Sequence, residues 1–324
     1  MTILVAPLNW GLGHASRCVP LIQRFLDEGH EVILGGDGES LTLLRRQFPK
    51  LRYTYLAPLR LRYSASRRQV WAMLKALPKL IAWAYKDHAM LQALLREEKI
   101  DRVVSDNRFG LYADGVETVY ITHQLHILLP SPWRWLEPLA ARLHARIYTR
   151  YNKVWVPDYE EPEKSLAGAL SHPQLSIINY QLSTLNYIGP LSRFDKDANR
   201  DVEPATTYDV VIVLSGLEPQ RTLLEKELLA RYRGGEQRVL LVQGLLNRPA
   251  TRIKRGNITI VPSMTDSELV PALLGAQHII ARSGYSTIMD LETLGLIQKV
   301  ELIPTPGQPE QEYLAFWTEK RTSK

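Results

Sequence analysis

The sequence predicts an α/β fold in which two domains each form around a doubly wound parallel sheet. Short apolar runs alternate with longer segments of helical periodicity along most of the 324 residues, a pattern typical of repeated β–α–β units. The alternation stops in the polar segment 193–207 and then begins again. We therefore predict a first domain at 1–192, a linker at 193–207 and a second domain at 208–324.

The first domain opens with a strand, a glycine turn and a helix. The apolar run Thr2–Ala6 precedes the turn Asn9–Arg17, after which apolar residues recur at helical spacing as far as Leu26. Gly29 marks the end of this helix, and Glu31–Leu34 is predicted as the next strand, which implies parallel pairing with a right-handed crossover. The other strands predicted in this domain are 51–56, 101–105, 118–122 and 153–156.

The second domain repeats the pattern after the linker. Its predicted strands are 209–214, 238–242, 257–261, 278–281 and 300–303, and its predicted helices are 222–233, 266–274 and 286–294. The carboxyl ends of parallel strands meet at one edge of a sheet, where α/β proteins bind ligands. Polar residues that directly follow strands are therefore the candidates for function.

Composition indicates a globular, cytoplasmic protein. The residues are 45% hydrophobic, enough for two cores. A single cysteine, Cys18, excludes an internal disulfide, and no histidine and cysteine cluster has the spacing of a zinc site. No apolar run approaches the roughly 20 residues of a membrane-spanning helix. We expect neither a metal nor a cofactor.

Positive charge is concentrated in two stretches, 59–99 and 133–155, where basic and apolar residues are interleaved. The net charge of the chain is +6. Two interpretations are open: amphipathic helices that contact an anionic membrane, which would make the protein peripheral at the inner membrane face, or ordinary helices with solvated faces. Nucleic acid is not expected as a partner, because no binding motif accompanies the charge.

Three polar clusters follow strands of the first domain. They are the glycine turn with Asn9, Gly11, Gly13 and His14, the pair Asp106 and Asn107, and the pair His123 and Gln124. The turn alone also permits a dinucleotide site with Asp37 as the ribose-binding acid. That match is poor, because Ser16 replaces the third glycine and Asp37 lies some way beyond its strand.

Three segments of the second domain carry candidate ligand-binding residues. Ser215–Arg221 joins a strand to a helix and offers a hydroxyl, a glycine turn and an arginine to a diphosphate. Arg282–Asp290 repeats this theme, and Asp290, expected in the first helical turn, either complements the helix dipole or binds ribose hydroxyls. In the loop 304–312, Gln311 and Glu312 are suited to sugar hydroxyls.

These motifs carry a family resemblance. Trp10-Gly11-x-Gly13-His14-x-x-Arg17, the block 282–290 and the block 304–312, in this order, resemble glycosyltransferases of the GT-B fold. They are most similar to the family 28 enzymes that form lipid II by N-acetylglucosaminyl transfer. The resemblance implies two Rossmann-like domains facing a cleft, with a nucleotide-sugar, more often a UDP-sugar, on the second domain and the hydroxyl acceptor, which is lipid-linked in these relatives, on the first.

The resemblance also implies roles for individual residues. His14 corresponds to the base of a metal-independent, inverting hexosyltransferase. On chemical grounds alone, Asp106 and His123 are rival bases, and helix N-termini, Arg221 and Arg282 are expected to stabilise the leaving diphosphate. Asp290 stands where the family has a glutamate. The full set of expected donor-binding residues is Ser215, Gly216, Gln220, Arg221, Met264, Arg282, Ser283, Gly284, Thr287, Asp290, Gln308, Gln311 and Glu312.

Alternatives stay open at this point. A nucleotide-sugar 2-epimerase shares the architecture, and a dinucleotide oxidoreductase or a non-catalytic nucleotide-sugar-binding partner protein also fits parts of the pattern. The similar enzymes continue beyond the Gln311–Glu312 pair, whereas this chain ends at Lys324, so we expect donor binding to be affected less than activity. Metal sites at His123 and His126, or at Asp195 and Asp197, are not favoured.

Overall fold

The structure, a computed structural model, describes residues 1–59, 69–131, 133–173, 184–194, 199, 201–246, 248–249 and 251–323, with the backbone alone at 69–75. The chain divides into two compact units, Met1–Arg193 and Phe194–Lys324. The segment predicted as a linker begins the second unit, because its buried Phe194 packs in the same core cluster as Val211 and Leu240.

The first unit is built on a seven-stranded parallel sheet. Its strands are β1 (Thr2–Pro7), β2 (Glu31–Gly36), β3 (Arg52–Tyr55), β4 (Arg102–Asp106), β5 (Glu117–Ile121), β6 (Lys153–Val156) and β7 (Leu185–Tyr187). The order β3-β2-β1-β4-β5-β6-β7 reverses direction between β1 and β4. The loops that follow β1 and β4 therefore border the crevice in which doubly wound sheets bind ligands.

Four α-helices connect these strands: α1 (Gly13–Asp27), α2 (Gly38–Gln47), α3 (Gln69–Glu97) and α4 (Glu137–Tyr148). Helix α1 buries Cys18, Leu21, Ile22 and Phe25, residues at the spacing of one helix face. Within the described residues, no helix is both long enough and apolar enough to span a bilayer.

The second unit is built on a six-stranded sheet in the order β10-β11-β9-β8-β12-β13. Its strands are β8 (Val210–Val213), β9 (Val239–Val242), β10 (Ile253–Arg255), β11 (Ile258–Val261), β12 (His278–Arg282) and β13 (Val300–Ile303), and its helices are α5 (Gln220–Tyr232), α6 (Asp266–Gly275), α7 (Tyr285–Thr293) and α8 (Pro309–Thr322). Only β10 pairs antiparallel among these described strands. The order reverses between β8 and β12, so the segments after these two strands border the second crevice.

Three elements differ from the sequence prediction. The edge strands β7 and β10 were not predicted; each is three residues long, too short for a periodicity to be recognised. Helix α7 begins at Tyr285, so Asp290 lies in its second turn and no acidic residue occupies the first. The interpretation of Asp290 as a partner of the helix dipole is therefore wrong, since that interaction falls off within the first turn.

Candidate active site

The glycine turn holds His14 at the amino end of α1. Gly11 has a φ of +81°, which glycine adopts without the strain that a side chain would cause, and α1 then begins at Gly13. No side chain caps this helix and its first turn contains no acidic residue. The first-turn amide groups lack intrahelical acceptors, so the turn around His14 is mildly electropositive.

Asp106 at the end of β4 lies directly beneath His14. Pro7 of β1 and Asp106 are partners in the parallel register, which brings the loop after β1 over the carboxylate. The distance from His14 Nδ1 to Asp106 Oδ1 is 2.9 Å; the side chain of His14 is 18% exposed, whereas that of Asp106 is fully buried. Within the described part of the chain, the polar neighbours of the imidazole, Asp106 Oδ1 and Arg17 Nη2, both lie beside Nδ1.

Arg17, one helical turn after His14, completes the cluster. Its Nε donates to Asp106 Oδ2 at 2.6 Å and its Nη2 donates to Oδ1. The guanidinium also lies 2.9 Å from His14 Nδ1 and 3.4 Å from His123 Nδ1. Burial opposes ionisation of Asp106, but the charges and hydrogen bonds of Arg17 and His14 outweigh burial and hold the pKa of Asp106 well below its usual range.

This arrangement separates His14 from its two rivals. Asp106 is fully buried and both of its oxygens are occupied, so its predicted alternative role as the base is corrected to that of a partner of His14. His123 is only 4% exposed and its Nδ1 faces Arg17, a placement unsuited to direct contact with an acceptor. An imidazole that donates from Nδ1 to a carboxylate presents a lone pair at Nε2, as a general base requires.

The other residues expected on the acceptor side mainly organise loops. Asn9 donates to Asp37 Oδ2 at 3.1 Å and accepts from the amide of Ser40 at the start of α2. Asn107 accepts a hydrogen bond from Tyr120, and the amide of Gln124 donates to the Thr122 hydroxyl. Both polar groups of the Asn9 amide are thus engaged within the first unit, contrary to the expectation that Asn9 meets the acceptor.

A buried arginine that was not among the predicted site residues ties several strand ends together. Arg108 has no exposed surface and donates to both carboxylate oxygens of Asp87, at 2.9 and 2.8 Å. It also donates to Asp37 Oδ1 at 3.0 Å and to the carbonyl of Ala57 after β3. Asp37 is therefore committed to Arg108 and Asn9, which argues against its use as the ribose acid of a dinucleotide site.

In the second unit, the amino end of α7 is the clearest candidate for binding an anion. Gly284 is its N-cap residue in extended conformation, and no side chain caps the helix. The predicted contact through the Ser283 hydroxyl is corrected, because this hydroxyl is buried and donates to the Gln311 carbonyl at 2.8 Å. Thr287, in the first turn, is half-buried. Backbone amide groups at such an end suit phosphate.

The turn after β8 leads into α5, whose first turn is capped by Glu218: this carboxylate accepts from the Thr222 amide at 3.2 Å. Gly216 has a φ of +98° and open space where a Cβ atom would be, and Ser215 beside it is half-buried. Arg221 does not reach outward as predicted: it donates to Glu218 at 2.6 Å and to Glu225 at 2.7 Å. Two carboxylates already neutralise this guanidinium, which removes the reason to assign it to a diphosphate.

Arg282 is also placed differently from the prediction. It is 4% exposed and donates to the carbonyls of Gln220 and Pro304, at 2.8 and 2.9 Å. Direct contact with a diphosphate is therefore corrected to a tie between the starts of α5, α7 and the loop after β13. Burial lowers the pKa of Arg282, and no carboxylate forms a salt bridge with it among the described residues, so its charge favours an anion nearby.

The remaining donor candidates lie at the start of α8, after β11 and in α7. The side chain of Gln311 accepts from the Thr305 amide at 2.8 Å, and Glu312 accepts from the Gly307 amide at 3.1 Å. These bonds shape the loop that ends at Gln308, the N-cap residue of α8. Met264 follows β11 and packs on the core. In the sheet, β11 is separated from β8 by β9. Asp290 is half-buried in α7.

The predictions about metal sites and about the basic stretches concern residues outside the donor candidates or outside the described part of the chain. His126 pairs with Glu137 at 3.1 Å rather than with His123, and within the described residues no group of three ligand-type side chains is close enough to hold a metal ion. Asp195 and Asp197 lie outside the described residues, as do Arg60, Arg62, Arg67 and Arg68 of the first basic stretch.

Arg17 and Asp87 were missed although the sequence holds a signal for both. Each stands in an apolar helix row at four-residue spacing, Arg17 with Leu21 and Phe25 on α1, and Asp87 with Trp83 and Leu91 on α3. A charge in such a row predicts burial with an opposite charge. The partners themselves, Asp106 and Arg108, lie 89 and 21 residues away, which no helix periodicity can indicate.

Two proteins named as uncharacterized glycosyltransferases are similar to the chain over 96% of its length. One, from Methanosarcina acetivorans, is 25% identical, and the other, from Methanosarcina mazei, is 23% identical; the alignment covers 82% of each. No family model matches the sequence.

Solved structures are similar to the chain over residues of both units. The spinosyn rhamnosyltransferase SpnG complexed with thymidine diphosphate has a TM-score of 0.58 at 14% identity, covering 100% of this chain and 90% of that one. LpCGTa in complex with UDP has a TM-score of 0.57 at 14% identity, and the match covers 98% of this chain and 82% of that one. Arabidopsis thaliana UGT89C1 complexed with quercetin has a TM-score of 0.55 at 12% identity, and the match covers 99% of this chain and 89% of that one. Specificity for lipid II formation is not confirmed by these neighbours.

Proposed function

We propose that this protein, whose two α/β units form the GT-B glycosyltransferase fold, is an inverting glycosyltransferase that moves a hexosyl group from a nucleotide-sugar to a hydroxyl acceptor. The fold is shared with the nucleotide-bound enzymes compared above, and the names of its relatives support the enzyme class. The observation that carries the mechanism is the partly exposed His14 held over the buried Asp106 at 2.9 Å.

In the proposed reaction His14 is the general base. Its Nε2 takes the proton of the acceptor hydroxyl while that oxygen attacks the anomeric carbon of the donor from the face opposite the diphosphate. The bond from the anomeric carbon to the diphosphate oxygen breaks, and its electron pair leaves with the diphosphate. Asp106 holds Nδ1–H and stabilises the imidazolium, so one displacement inverts the configuration.

The leaving nucleoside diphosphate is proposed to bind the second unit without metal. The uncapped start of α7 supplies backbone amide groups, and the buried charge of Arg282 adds a favourable potential without direct contact. Thr287 and Asp290 are proposed to bind the nucleotide, Asp290 at the ribose. The Gln311 amide and the Glu312 carboxylate are proposed to bind the donor sugar, and Gln308, in the adjoining loop, is proposed to contact the donor beside them. Met264 is proposed to contact the base, which we propose is uracil.

The acceptor is proposed to be presented at an anionic membrane. On α3 the row Leu77, Ile81 and Tyr85, and around α4 the row Trp135, Leu139 and Leu143, are each at least 49% exposed. Phe109 packs against Trp83 of α3 and His144 of α4, with ring centroids 5.9 and 6.4 Å apart, so the two helices share one half-buried partner. We call these two rows the outer apolar rows.

Charge around the outer apolar rows has a single sign. Residues 76–90 and 133–150 are all described, and their exposed ionisable side chains are basic: Lys79, Lys86, Arg134, Arg142, Arg146 and Arg150. Asp87 is buried and Glu137 is paired with His126. Apolar rows fringed by exposed cations match the interface of an anionic bilayer, which supports a lipid-linked acceptor.

A thermal-shift panel of UDP-, TDP- and GDP-sugars tests the donor assignment, with NAD as the control ligand. A bound donor at a hundredfold excess over its dissociation constant should stabilise the protein by about 2.7 kcal/mol. The best ligand is then incubated with hydroxyl acceptors, and the anomeric configuration of the product is read by NMR. Stabilisation by NAD alone, or a retained anomeric configuration, would contradict the proposal.

A further inference from the structure

Arg17 occupies an unusual place for an arginine, within the buried face of an amphipathic helix. It is 2% exposed and follows His14 by one turn of α1. Its Nε and Nη2 bind the two oxygens of Asp106, and Nη2 is also 2.9 Å from His14 Nδ1. The same carboxylate oxygen, Oδ1, thus faces both the imidazole and the guanidinium.

The charge balance of this cluster is what gives Arg17 a role. Arg17 and Asp106 together are electrically neutral, and among the described residues of the first unit His123, Cys18 and Tyr120 also face them. Burial raises the pKa of both the Cys18 thiol and the Tyr120 hydroxyl, so both are uncharged. A proton added to His14 therefore gives the cluster a net positive charge beside an existing guanidinium.

We infer that Arg17 is a positioning residue that shares the Asp106 carboxylate with His14 and thereby limits the attraction of that carboxylate for a second proton on the imidazole. A buried carboxylate with His14 as its only cationic partner would favour the imidazolium strongly, and an imidazolium cannot accept a proton. With Arg17 in place, Asp106 orients the ring while the guanidinium opposes its protonation. The role bears on catalysis through His14 and in that respect rests on the proposed function.

The test is a titration of His14 by NMR in protein labelled with ¹⁵N-histidine, which needs no substrate. The His14 signal is assigned by its loss in H14Q. Substitution Arg17→Met should move the midpoint of the His14 titration to higher pH by roughly one to three units, the range for removal of a neighbouring charge. Arg17→Lys retains the charge and should stay close to the wild type, and His278 in the second unit serves as an internal control.

Asp106→Asn changes the charge of the cluster in the opposite direction from Arg17→Met, and it is a second variant should Arg17→Met fail to fold. It leaves Arg17 beside His14 without the carboxylate, so the midpoint should move to lower pH. If Arg17→Met does not fold, Arg17→Lys and Asp106→Asn still decide. An unchanged or lower midpoint in Arg17→Met, or an unchanged or higher one in Asp106→Asn, overturns the inference.

A pH profile of kcat/KM connects the inference to the reaction. In Arg17→Met the acid limb should move to higher pH in step with the titration, whereas a merely structural role would lower the rate equally at all pH values. If the titration moves and no glycosyl transfer is found with any donor, the proposed function fails while the role of Arg17 stands.

Discussion

His144 on α4 has an imidazole that is buried beneath the outer apolar row of the same helix. Its Nε2 lies 3.2 Å from the hydroxyl of Tyr120, which in turn donates to Asn107. Burial disfavours the imidazolium and lowers the pKa of His144 to about 4, and a hydrogen bond to the backbone of Gln124 offsets only part of this. The ring is therefore neutral in the folded protein.

His144 should make the stability of the fold depend on pH. In the unfolded chain its pKa is near the ordinary 6.5, so the unfolded state takes up a proton first as the pH falls. The contribution to stability is complete above pH 6.5 and is lost progressively down to pH 4, by about 3 kcal/mol in total. Urea unfolding at a series of pH values measures this loss.

The matched variant is His144→Gln, which retains a donor for Tyr120 but does not titrate. Its stability should decline less than that of the wild type between pH 6.5 and 4, and the two curves should converge as the pH falls. Parallel curves over this range would contradict the neutral, buried state of His144.

At the scale of elements, the outer apolar rows predict binding to anionic vesicles. The wild type should float with vesicles of phosphatidylglycerol and phosphatidylcholine at low salt and less so at high salt, because the attraction between exposed charges is screened. The triple variant Trp135→Ser, Leu139→Ser and Leu143→Ser should lose most of this binding, since it removes the apolar part of the contact.

Two residues in the second unit offer a control for that experiment. Leu223 and Phe316 are 49% and 59% exposed and lie outside the outer apolar rows. The variant Leu223→Ser with Phe316→Ser should float like the wild type. Equal loss of binding in both variants, or no flotation of the wild type, would favour helices with ordinary solvated faces.

Elements were predictable where burial imposed a period on the sequence. The strands at the sheet centres, such as β1 and β12, are apolar on both faces, and α1 carries an apolar row, so their existence followed from composition. The edge strand β10 is exposed along its length, and nothing in its residues separates it from a loop. Its place depends on pairing with β11, which is a tertiary contact.

The site was predictable in its location but less so in its individual contacts. Strand ends and glycine turns indicated His14, Asp106 and the start of α7, because the topology of a parallel sheet brings such segments to one edge. Arg221 and Arg282 were assigned to the ligand because both follow strands. The structure directs them to carboxylates and carbonyls instead, choices that depend on neighbours such as Glu225 and Pro304.

At the scale of the whole molecule, the proposed base and the proposed donor residues belong to different units. Substitution His14→Ala should therefore abolish most turnover, by roughly a hundredfold or more for loss of a general base, while the affinity for the nucleotide-sugar stays within about twofold. Isothermal titration with the donor and a turnover assay measure the two effects. The variant His30→Ala, in the turn that follows the opposite end of α1, is the control.

Wild-type turnover in His14→Ala would remove this residue as the base. A parallel loss of donor affinity would instead indicate that His14 contributes to the donor site. Full activity in His30→Ala is required for either result to be assigned to position 14 and not to α1 as a whole.

The tie made by Arg282 has a consequence for the thermodynamics of donor binding. The guanidinium of Arg282 donates hydrogen bonds both to the start of α5 and to the loop after β13. The Ser283 hydroxyl, just before α7, donates a hydrogen bond to α8. The segments proposed to receive the diphosphate are thereby ordered before any ligand arrives, so association loses little conformational entropy. Calorimetry should find a small entropic penalty and a heat capacity change set by the donor surface alone.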